Sequence, residues 1–145
     1  MRSTLFVFMT SLFLGACSTA SHTSDDHDLP LMDIQKAVST QIPGGLDTVS
    51  PNQREFSSRF FGYQRPGAGY SASGVPTERH RARVSIIGDR RPYRLKVEVS
   101  SEKLHGKQWK VEKADPELAE RINQRILDHL SKTSQKNLID HFRPF

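Results

Sequence analysis

From Tyr93 to Ser100 apolar and polar residues alternate without a fault: Tyr93-Arg94-Leu95-Lys96-Val97-Glu98-Val99-Ser100. A period of two sends every second side chain to the same face of an extended chain. This run is therefore a strand with one buried and one solvated side. Arg81-Ala82-Arg83-Val84-Ser85-Ile86 alternates in the same way, and Gly88-Asp89-Arg90-Arg91-Pro92 between the two supplies turn residues. Together they predict a β-hairpin with Ala82, Val84, Ile86, Tyr93, Leu95, Val97 and Val99 toward the core. Pro92 has no N–H for a ladder and belongs at the turn or at a strand start.

The rest of the chain must cover that greasy face. Leu31, Ile34, Val38 and Ile42, with Ala37 beside them, recur at three- and four-residue steps until Pro43-Gly44-Gly45, which predicts a short amphipathic helix. The aromatic-rich stretch Arg54 to Tyr63 predicts a strand of imperfect alternation. Gln108 to Lys113, with Trp109 and Val111 on one side, predicts a last strand. Asp115-Pro116-Glu117 then opens a helix with an N-cap acid, a proline at the first position and an acid in the first turn. Leu118, Ala119, Ile122, Ile126, Leu127 and Leu130 give it an apolar stripe, with an expected end near Lys132. The tail Asn137 to Phe145, with Leu138, Ile139, Phe142 and Phe145, is expected to pack back on the domain. The fold class is α+β: a small antiparallel sheet of about four strands, flanked by an N-terminal and a C-terminal helix.

Ahead of this domain stands a different kind of sequence. Arg2 precedes an apolar run from Leu5 to Leu14 broken only by Thr10 and Ser11. That run is about half the length a bilayer-spanning helix needs, and it fits the apolar region of a secretory signal. Leu14-Gly15-Ala16-Cys17 follows. An aliphatic residue, two small residues and a cysteine resemble the lipobox of bacterial lipoproteins. The resemblance implies cleavage between Ala16 and Cys17, diacylglycerol on the Cys17 sulfur, a further acyl chain such as palmitate on the new amino terminus, and a membrane anchor. Ser18 after the cysteine implies the outer membrane, facing the periplasm, in a Gram-negative source. Cys17 is the only cysteine, so no disulfide can form within the domain, and lipidation would consume the lone thiol. The expected organisation is a signal peptide at 1–16, a lipidated cysteine and flexible tether at 17–28, and one α+β domain at 29–145.

The formal charge of +5 is concentrated in the middle: between Arg79 and Lys113 stand eleven Lys or Arg against four acids. Arg81, Arg83, Arg94 and Lys96 point to the polar side of the hairpin, Lys110 lies on the next strand, and Arg90 and Arg91 sit at the turn. On one sheet face they would form a patch for phosphate-bearing or acidic partners; the plainer reading is a solvated face that blocks edge pairing. Between Gln64 and Glu78 runs a long Gly- and Pro-rich loop, with Tyr63 just before it and Tyr70 within it as candidate partner anchors. It lacks the Gly-Lys-Ser/Thr and following helix of a phosphate cradle. His22, Asp25, Asp26, His27 and Asp28 are metal-ligand types without a scaffold, and no metal or other cofactor is expected. No serine sits in a nucleophile elbow, and catalysis is not expected.

These features point to a lipid-anchored, non-catalytic binding or adaptor module for envelope assembly, secretion or cell-wall upkeep, contacting an envelope protein or an anionic polymer and not nucleic acid. The rival readings are an envelope hydrolase with a spatially assembled site, or a carrier with an apolar cavity between sheet and helices.

Overall fold

The two alternating segments form one long antiparallel ladder, running from Glu78 opposite Lys103 to Ile87 opposite Arg94. A computed structural model describes residues 21–62 and 77–141, with side chains as far as residue 135 of the last helix. Its elements are β1 (Ser21–Thr23), α1 (Leu31–Gln41), β2 (Leu46–Val49), β3 (Glu55–Ser58), β4 (Glu78–Ile87), β5 (Arg94–His105), β6 (Gln108–Ala114) and α2 (Pro116–His141). All strand pairs are antiparallel, in the order β1-β5-β4-β3-β2, with β6 also on β5. The α+β class stands; among the described residues the sheet has six strands where about four were expected.

One face of the sheet carries the core. Ala82, Val84, Ile86, Tyr93, Leu95, Val97 and Val99 are all buried, as the alternation requires. Against them pack Ile34, Ala37, Val38 and Ile42 of α1 and Leu118, Ala119, Ile122, Ile126 and Leu130 of α2. Each aliphatic side chain fully withdrawn from water is worth about 1.5–3 kcal/mol, so this layer supplies the main driving force. Asp115 starts α2 as its sequence predicts. Its carboxylate accepts the Leu118 N–H at 3.1 Å, and its own N–H donates to the Val99 carbonyl at 2.9 Å. The cap thus fastens the helix to β5 as well as satisfying a helix-end donor.

Two strands escaped the periodicity. β2 is four residues long with an irregular register between Leu46 and Thr48, too short for a pattern. β1 is polar, Ser21-His22-Thr23, and lies in the segment expected as tether. It pairs because β5 is longer than β6: the stretch Lys96 to Glu98 is left with an open edge, and Thr23 to Ser21 fill it. The ladder extends past β1 through Ser24 N–H to Leu95 and reciprocal backbone bonds between His27 and Tyr93. The sheet therefore begins at Ser21, ahead of the expected domain boundary at 29.

The expected strand from Arg54 to Tyr63 is interrupted. At Ser58, which is fully buried, the hydroxyl accepts the Ala82 N–H at 2.9 Å, taking the place of a backbone acceptor, and donates to the Arg59 carbonyl at 2.7 Å. Pairing resumes only at Phe61 opposite His80. Gly44, at φ +72°, turns the chain from α1 into β2 where a Cβ would stand 3.1 Å from that of Phe61. α2 continues to His141 instead of ending near Lys132, so much of the tail is helix; the packing expected of Leu138, Ile139, Phe142 and Phe145 falls outside the described side chains. The signal, Cys17, Tyr63 and Tyr70 also lie outside the described residues.

Candidate functional site

Three of the four cations on the expected basic face are ion-paired. Arg81 pairs with Asp47 of β2, Arg94 with Asp26 at 3.7 Å, and Lys96 with Glu98 at 2.8 Å. Arg83 stands opposite Glu98 in the β4–β5 register. Asp47 and Asp26 come from β2 and from the segment after β1, the two pieces of sheet that the periodicity missed. Lys110 does not join this face: it lies opposite Lys103, one residue out of phase with Lys96, Glu98 and Glu102. Arg90 and Arg91 are exposed at the turn. A single phosphate-binding patch built from all seven cations is therefore not what the sheet assembles.

On the same outward face, toward the β6 end, a different cluster forms. The Arg79 guanidinium lies 3.8 Å from the Phe60 ring centre and 4.2 Å from that of Trp109. Glu102, its cross-strand partner, bonds it at 2.7 and 2.6 Å. Leu104 lies opposite Trp109, and Val111 opposite Glu102, on that side of the sheet. Trp109 and Val111 share a face as the alternation requires, and it is the solvent face: Val111 is 68% exposed and Phe60 41%. Arg79 carried no sequence signal, because it adjoins the glycine-rich loop and its aromatic partners come from β6 and from the segment that follows β3.

Ser24 and His27 have the look of a nucleophile and base, with Ser24 Oγ 2.9 Å from His27 Nε2. The serine is buried, however, and its oxygen accepts the Leu95 N–H at 3.0 Å. An oxygen so engaged closes a strand edge and is not presented to a substrate. Burial lowers the His27 pKa below its usual 6.5, against the opposing pull of Asp25 and Asp26. His129 accepts a bond from Gln41 Nε2 at 3.2 Å and ties α2 to the end of α1. Among the described residues no three His, Cys, Asp or Glu side chains gather as a metal site.

A concave feature among the described residues lies at the other end of the sheet. α1 and α2 cover β4 and β5, while the inner side of the β2–β3 pair runs out beyond α1. An open groove of about 840 Å³ results. Leu46, Val49 and Phe56 line its strand side, Met32, Gln35, Lys36 and Ser39 of α1 the other, and Ser50, Pro51 and Gln53 close one end. Met32 is 78% exposed and Val49 42%. Gln35 spans the groove to the Gln53 carbonyl at 3.1 Å, and Lys36 is the one charged residue of the lining. β2 is the last strand of the sheet, so among the described residues its outer edge pairs with nothing. Sequence reading missed this groove, since it depends on where α1 stops covering the sheet.

No family model, curated protein or solved structure matches the chain.

Proposed function

We propose that the chain is a lipid-anchored binding module of the bacterial envelope that receives an extended, largely apolar segment of a partner protein in the α1–β2 groove. The observation that carries this is an open apolar groove between a helix and a sheet-edge strand. An extended peptide laid there can bond its backbone to β2 and place alternate side chains between the strand and α1. Exposed Met32 and Val49 provide apolar contact, and methionine adapts its shape to varied partners. Lys36 favours a partner segment that carries an acid. The anchor and envelope location rest on Leu14-Gly15-Ala16-Cys17 and the signal before it.

The test is site-specific photocrosslinking in cells, with the crosslinker at Met32, at Val49, or at exposed Glu120 of α2 as a control. A discrete adduct with the same envelope protein from both groove positions, absent from Glu120 and lost on Leu46→Asp, is the expected result. Adducts of equal pattern from all three positions would overturn the groove assignment. Labelled fatty acid should enter the wild-type chain and not Cys17→Ala; equal labelling of both would remove the anchor.

A further inference from the structure

β1 and β6 lie end to end along one edge of β5: Ser21 stands opposite Glu98 and Ala114 opposite Ser100. Two residues along a strand span about 7 Å, so the chain enters the sheet beside the end of β6. Cys17 is four residues before Ser21, and four residues reach at most about 14 Å. If Cys17 carries lipid, as proposed above and on which this inference rests, the β5–β6 edge is held at a bilayer surface.

That edge has the composition of a surface meant for headgroups. Phe60, Leu104, Trp109 and Val111 form an outward apolar cluster around Arg79. Lys107 stands at the turn, and Lys110 and Lys113 lie along β6 on the side of the strand opposite Trp109 and Val111, all exposed and without an ion-pair partner among the described residues. Lys103, by contrast, is tied to Glu112 at 2.7 Å. Tryptophan rings settle at headgroup depth, and lysines are drawn to anionic lipid. On the outward face Arg79 is paired with Glu102, and Arg81, Arg94 and Lys96 with Asp47, Asp26 and Glu98, so the unpaired lysines belong to the edge strand itself. The geometry points to the β6 edge, with Trp109 and Val111 on one side of the strand, Lys110 and Lys113 on the other and Lys107 at its turn, as a membrane-contacting surface that lies edge-on against anionic phospholipid headgroups beside the Cys17 lipid.

Trp109 is the only tryptophan, so its emission reads this contact alone. The lipidated chain, verified by mass, is reconstituted into vesicles of phosphatidylethanolamine and phosphatidylglycerol, and the Cys17→Ala chain is added to the same vesicles from outside. The expected result is a blue shift of Trp109 and protection from aqueous quencher in the lipidated chain. The combined change Lys107→Gln, Lys110→Gln and Lys113→Gln should reverse both, with unchanged circular dichroism. A lipidated, vesicle-bound chain whose Trp109 stays as quenchable as in buffer overturns the surface while leaving the anchor intact. If the mass shows no lipid, the anchor falls. The surface is then judged on the Cys17→Ala chain: a blue shift with these vesicles and none with phosphatidylcholine upholds it, and no shift with either overturns it.

Discussion

Ser24 and Leu95 exchange two hydrogen bonds: the Ser24 N–H donates to the Leu95 carbonyl at 2.8 Å, and the Leu95 N–H donates to Ser24 Oγ at 3.0 Å. A side chain thus does the work of a backbone acceptor where the polar segment meets the central strand. Ser24→Ala leaves the buried Leu95 N–H unsatisfied, at a cost of about 1–3 kcal/mol. Chemical denaturation should show that loss, with faster amide exchange at Leu95. Unchanged exchange there would mean that another group takes over the donor.

His27 should make the same edge pH-sensitive. Its folded pKa is lowered by burial, so the unfolded chain binds more protons below the usual 6.5, and stability is complete above that pH and declines as pH falls through it. Asp25 and Asp26 moderate the effect by favouring the charged ring. Protection of the Ser24, His27 and Tyr93 amides, relative to the intrinsic exchange rate at each pH, is expected to weaken between neutral pH and pH about 5, the region where histidine titrates, and His27→Gln should flatten the dependence. A profile identical in the variant would assign it to other groups.

Ile126 and Val111 separate core from surface. Ile126 is fully buried beneath the sheet, and Val111 is 68% exposed on its far side. Ile126→Ala should cost about 2–5 kcal/mol, while Val111→Ser should stay within about 0.5 kcal/mol. Thermal and denaturant unfolding of the two variants makes the comparison; comparable losses would place Val111 in a packed layer.

The two groups of surface cations should differ in their response to anions. Replacing Arg81, Arg94 and Lys96 by Gln removes charges that Asp47, Asp26 and Glu98 already offset, each exposed pair being worth about 0–1 kcal/mol. Replacing Lys107, Lys110 and Lys113 removes uncompensated charge. Elution from a polyanion column should therefore move to lower salt much further for the second set. A larger shift for the first set would restore the hairpin face as the main anion surface.

Alternation around Val84 and Val97 was enough to locate the central hairpin, its inward residues and the α+β class, because burial on one face leaves a period of two in the residues. Asp115-Pro116 marked the start of α2 for an equally local reason. β1 was illegible because Ser21-His22-Thr23 pair through backbone groups alone, along an edge whose openness depends on the unequal lengths of β5 and β6. The neutralisation of Arg81 was hidden for a related reason: Asp47 reaches it from a strand too short to announce itself. The Arg79 cluster and the α1–β2 groove are products of strand order, which no local pattern specifies.

Ser24 and Leu95 are separated by 71 positions. A chain emerging amino end first exposes Ser21 to Asp28 well before the strand that receives them exists. The opening strand of the sheet must therefore wait for the fifth before it has an edge to pair with.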